Sequence, residues 1–68
     1  MTIGKLTPRQ EQILVMTWNG ATPREIAGQT GINAQSVRNA LRLAQIRMEC
    51  RGLVQLCRRA LQLGILKP

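Results

Sequence analysis

Four residue types are missing from this 68-residue chain, which has no histidine, no aspartate, no tyrosine and no phenylalanine. Acidic residues are three in all, at Glu11, Glu25 and Glu49, and no two of them are close enough in sequence to read as a catalytic pair. General acid–base chemistry needs positioned groups of that kind, and a cysteine nucleophile would lack its histidine base. The reading excludes an enzyme and nominates no catalytic residue. Cysteine is equally sparse: Cys50 and Cys57 stand seven apart. Two sulfurs without histidine are too few for a structural zinc site, and their spacing is not Cys-x-x-Cys. No metal and no cofactor are expected, and both thiols read as reduced side chains of a cytosolic protein.

Trp18 is the only aromatic residue, which argues against single-strand binding by base stacking. Long apolar runs are also lacking. Ile13-Leu14-Val15-Met16 is the longest clear one in the first half, far short of the roughly 20 residues of a membrane span. The stretch from Met1 to Pro8 has no apolar centre of the signal-peptide kind. A cytoplasmic location without membrane insertion is the expectation.

Positive charge is plentiful. Ten Lys and Arg against three Glu give a net charge of +7. Eight of the ten are arginine, at Arg9, Arg24, Arg38, Arg42, Arg47, Arg51, Arg58 and Arg59. Arginine suits planar, bidentate contact with phosphate or guanine, and such a balance is the electrostatic footprint of a nucleic-acid binder. A cationic membrane-active helix would share it, so the arrangement along the chain has to decide.

That arrangement is all-α, with four helices expected at about 8–19, 23–30, 34–49 and 52–63 in a single domain over residues 1–68. Thr7-Pro8-Arg9-Gln10 and Thr22-Pro23-Arg24-Glu25 repeat one start signal: a threonine cap, a proline in the first turn, and a side chain three residues on that reaches back. Asn19-Gly20 and Gly31 stop these helices. Asn33 caps the third, where Val37, Ala40, Leu41, Ala44 and Met48 form one apolar stripe. In the fourth, Leu53, Leu56, Cys57, Ala60 and Leu61 are apolar, and Gly64 ends it. Two capping boxes and a defined glycine turn have no use in a membrane-active peptide.

A short helix, a glycine turn and a second helix with a polar outer face form a helix-turn-helix. In that motif the second helix shows its N-terminal side chains to base edges. Gln35 and Asn39 can pair with adenine, Arg38 and Arg42 with guanine, and Ser36 with base or phosphate. Thr22, Arg24 and the helix N-terminus offer donors to a phosphate. Double-stranded DNA is the expected partner.

The ordered set Leu6-Thr7-Pro8-Arg9-Gln10, Gly20, Glu25-Ile26-Ala27, Gly31-Ile32, Ser36-Val37-Arg38, Val54-Gln55-Leu56, Ala60-Leu61 and Gly64-Ile65 resembles the LuxR-type DNA-binding domain of quorum-sensing and response regulators, over residues 6–66. The resemblance implies a four-helix domain whose third helix enters the major groove and whose fourth often pairs two copies. It places DNA contacts at Thr22, Arg24, Gln35, Ser36, Arg38, Asn39 and Arg42, puts Val37 where a valine packs and touches a thymine methyl, and gives Glu25 a capping role. The chain departs from the pattern at Glu49, where a glycine is usual, with Gly52 three residues later. It departs again at Ala40, in place of a histidine, and at Trp18, in place of a small residue. With Met1 just ahead of this stretch, no separate sensing domain is expected.

Leu43 and Ile46 lie off the apolar stripe of the third helix, and Val54, Cys57 and Leu61 are apolar positions of the fourth. Together they are candidates for a dimer or partner surface. The leading expectation is a sequence-specific transcriptional regulator that binds a two-fold site as a homodimer. The alternative is an interaction protein, an anti-activator or co-regulator, forming a heterodimer with a full-length LuxR-type regulator.

Overall fold

The computed structural model describes residues 5–68; residues 1–4, part of the stretch that argued against a signal peptide, lie outside the described residues. Four helices follow one another: α1 Pro8–Trp18, α2 Pro23–Thr30, α3 Ala34–Arg47 and α4 Leu53–Gln62. Among the described residues there is no strand, and the class is all-α. The third helix stops at Arg47, short of the expected residue 49.

Both Thr-Pro starts close as reciprocal capping boxes. Thr7 Oγ1 accepts the Gln10 N–H at 3.1 Å and Gln10 Oε1 accepts the Thr7 N–H at 3.0 Å. At α2, Thr22 Oγ1 accepts the Glu25 N–H at 3.2 Å, and the Glu25 carboxylate accepts the Thr22 N–H at 2.9 Å. The hydrogen bonds that the Thr22 N–H and then its side chain give the carboxylate hold the Glu25 carboxyl below its ordinary range, because they favour the charged acceptor. Asn33 caps α3 alone, its Oδ1 accepting the Ser36 N–H at 2.7 Å.

The core is aliphatic and forms two clusters. Ile13, Ile26 and Val37 make the first, which ties α1, α2 and α3 together. Leu6, Leu14, Ala44, Met48, Leu56, Cys57, Ala60 and Leu66 make the second, joining α1, α3, α4 and the C-terminal tail. Neighbouring Ile13 and Leu14 enter different clusters, so α1 is the wedge between them. Trp18 is not part of either cluster. It is 39% exposed at the end of α1, and its Nε1–H donates to the Lys67 carbonyl at 2.8 Å, pinning the tail.

The junction after α3 explains where that helix ends. Its last turn closes with the Cys50 N–H on the Gln45 carbonyl (2.8 Å) and the Glu49 N–H on the Ile46 carbonyl (3.1 Å). This is the Schellman pattern, which demands a left-handed residue just past the cap. Gly20 and Gly64 fill the same slot after α1 and α4, but here the slot holds Glu49 at φ +54°, the one non-glycine with positive φ among the described residues. A side chain in that region costs about 1–2 kcal/mol, which glycine's larger loss of chain entropy on folding partly offsets.

Two predictions follow from these ends. Glu49→Gly is expected to raise stability by about 1 kcal/mol in urea unfolding, whereas a loss would mean that the Glu49 side chain holds the turn. The Glu25 carboxyl is held low in the folded state, so its contribution is present above the ordinary glutamate value of about 4.3 and is lost as pH falls through the folded value. Glu25→Gln should therefore flatten the acid limb of the stability–pH curve below about pH 5; an unchanged limb would refute this role.

Candidate nucleic-acid interface

α2, the turn Gly31-Ile32-Asn33 and α3 form a helix-turn-helix. Gly31 takes the left-handed conformation (φ +80°) that lets the chain reverse direction in so few residues. Ile26 and Val37 are wholly buried across the α2–α3 crossing. On α3 the buried side chains are Val37, Ala44 and Met48, the last in the capping turn, with Ala40 and Leu41 half-buried beside them.

Burial of that stripe turns the opposite side of α3 outward. Gln35, Ser36, Arg38, Asn39 and Arg42 are all exposed, as are Thr22 and Arg24 at the start of α2. Gln35, Asn39 and Arg42 fall at i, i+4 and i+7, one row along the helix. Arg38 stands beside that row and Ser36 lies in the first turn. The helix carries Arg38, Arg42 and Arg47 and no acidic residue. Thr22 Oγ1 is occupied as an acceptor by the capping bond, and the Thr22 side chain also bonds the Glu25 carboxylate. The first-turn N–H groups of Ala34 and Gln35 have no intrahelical acceptor. Donors from two helix starts and a polar, cationic row between them are what phosphate and base-edge contacts require.

Val37 does not belong to that surface. Its relative exposure is 0%, spent against Ile13 and Ile26, so it packs and has no methyl free for a thymine. The resemblance implies a thymine contact there, but the packing of α3 spends the whole side chain on the buried stripe.

The apolar candidates for a partner surface separate into two groups. Leu43 (45% exposed) and Ile46 (62%) lie on α3. Ile46 prolongs the Gln35–Asn39–Arg42 row at i+11, roughly 16 Å along the axis from Gln35. Val54 and Leu61 instead line a cleft between the end of α1 and α4, together with Trp18 and Leu53. Cys57 contributes only its edge to that cleft, because it is a buried core residue. Burial also pushes its thiol up from the ordinary range, the reverse of what a redox-sensing thiolate needs. Trp18 and Leu53 were not singled out as surface residues in the sequence. The signal was the breadth of the apolar arc on α4, where Val54 falls outside the stripe that Leu56 and Ala60 bury and Leu61 lies half-buried at its edge.

Among the described residues there is no group of three His, Cys, Asp or Glu that could hold a metal ion, and no helix long and apolar enough to cross a membrane.

The Sigma-70, region 4 family model matches residues 1–48, more than half of the chain. No curated protein and no solved structure matches it. The matched stretch takes in α1, α2 and α3 and ends before α4. It supports the helix-turn-helix without singling out the LuxR type. On this match the chain belongs to the Sigma-70, region 4 family, with a helix-turn-helix that binds DNA in transcription.

Proposed function

We propose that the chain reads a specific DNA sequence by laying α3 in the major groove. The observation that carries this reading is the orientation of α3: its apolar stripe is buried, and Gln35, Arg38, Asn39 and Arg42 face solvent without an acidic residue on the helix. In this arrangement Arg38 and Arg42 donate to guanine O6 and N7, and Gln35 and Asn39 pair with the N6 and N7 edge of adenine. Thr22, Arg24 and Ser36 take phosphates at the groove's margins and fix the register without specifying sequence.

The proposal is for one chain on one major-groove segment. The LuxR-type resemblance would add pairing through α4, which lies in the part of the chain beyond the family match. A DNA target of this kind is consistent with action in the cytoplasm or nucleoid.

Selection from randomised duplexes, followed by gel-shift titration of the enriched site, tests the reading. Arg38→Ala should weaken binding to that site by about 1–3 kcal/mol, roughly 5-fold to 150-fold, and relax the preference at one base pair. Arg24→Ala should instead weaken enriched and random DNA alike. Arg24 is the one cation among these phosphate contacts, so a slope of about −0.9 predicts at least roughly a 3-fold loss of affinity between about 50 and about 200 mM salt. Failure of any duplex to enrich over random DNA would sink the claim of sequence specificity.

A further inference from the structure

The cleft between the end of α1 and α4 has a volume of about 460 Å³ and is walled by Trp18, Leu53, Val54 and Leu61, with Cys57 beneath and Arg58 at its rim. Val54 is 70% exposed, Trp18 39% and Leu53 38%. An apolar recess of this kind on a small, highly charged chain marks a contact surface. None of the DNA-facing side chains of α2 and α3 lines it, and its α4 wall lies beyond the residues matched by the family model.

Charge decides what fits there. Arg58 is the only ionisable side chain in the lining apart from the Cys57 thiol. From Cys50 to Pro68 the chain has Arg51, Arg58, Arg59 and Lys67 and no acidic residue. The Lys67 backbone is itself bonded to the Trp18 wall. At the end of the cleft formed by Leu53 and Val54, α4 begins at Gly52 with no side-chain cap and no acidic residue in its first turn. A helix start of this kind and a rim arginine both favour a carboxylate.

A second copy of the chain is a poor occupant. It would bring the same Arg58, the same uncapped helix start and a further net charge of +7, and like charges brought together oppose association. We infer that the cleft docks an amphipathic segment of a different protein, with aliphatic side chains on one face and glutamate or aspartate along its edge. The aliphatic side chains enter between Trp18 and Val54. The carboxylates meet Arg58 and the N–H groups that open α4.

Trp18 is the only tryptophan and stands in the cleft wall, so its emission reports occupancy directly. Three short helical peptides serve as probes: one with a leucine face and glutamates elsewhere, one with the same leucine face and lysines, and one with glutamates and an alanine face. The glutamate–leucine peptide should shift Trp18 emission to the blue and saturate at a concentration at least about tenfold lower than the other two. Val54→Glu, at an exposed position where the fold is kept (checked by far-ultraviolet circular dichroism), should abolish the shift. Arg58→Glu should transfer the preference to the lysine peptide, and Arg38→Ala should leave binding unchanged. Equal binding of the lysine peptide, or no binding of any peptide, overturns the inference. So does loss of binding in Arg38→Ala, which would place the peptide on the DNA face. Self-association in sedimentation that Val54→Glu removes would give the cleft to a second copy, and a blue shift on anionic vesicles but not on peptide would give it to a membrane.

Discussion

The rotation of α3 about its own axis is the constraint on which the rest depends. Val37, Ala44 and Met48 are buried on one side of it, the first against Ile13 and Ile26, the others against Leu14, Leu56 and Ala60. Those contacts come from both clusters, so α3 is held at both ends by aliphatic packing. Burial of large apolar side chains is worth about 1.5–3 kcal/mol each, far more than any exposed polar contact along the helix. A rotation of α3 by one residue, about 100°, would therefore be opposed by the core long before DNA is involved. The outward row of Gln35, Asn39 and Arg42 is set by what lies behind it.

A core this small has little to spare, and its composition shows how it is kept tight. Ala44 and Ala60 are both fully buried, and short side chains at crossing points let helices approach closely. With no phenylalanine or tyrosine available, shape is matched by aliphatic side chains and by Met48 and Cys57. The sole aromatic works at the margin, where Trp18 ties the tail to α1 by its indole N–H. Glu49 is the counter-example to this economy, because it occupies a left-handed position that glycine holds at the other three helix ends, at Gly20, Gly31 and Gly64. No contact among the described residues explains the preference for glutamate there.

Much of this architecture was legible in the residues. Thr7-Pro8 and Thr22-Pro23 marked two helix starts because a capping box is local chemistry, complete within four residues. The stripe from Val37 to Met48 was equally local, and Glu49 stood out as a non-glycine in a glycine slot. What the sequence concealed is how faces of different helices meet. Leu43, Ile46, Val54 and Leu61 looked like one apolar surface, but the crossing of α3 and α4 leaves the first pair exposed on α3 and the second in the α1–α4 cleft. Val37 shows the opposite case: its periodicity already assigns it to the stripe that the core buries, and only the LuxR-type resemblance implies a thymine contact as well. The part that Trp18 and Leu53 play in the cleft depended on a contact between α1 and α4, far apart in sequence, that no local pattern encodes.

The central claim is that α3 reads base edges from the major groove. Methylation interference with dimethyl sulfate on an enriched duplex tests it most directly, because the reagent marks guanine N7 in the major groove and adenine N3 in the minor groove. If Arg38 and Arg42 donate to guanine N7, methylation of one or two guanines in the site should block binding, and the block at one of them should vanish in Arg38→Ala. Interference confined to adenine N3, or no interference at any guanine of a site that contains them, would contradict major-groove reading by this helix.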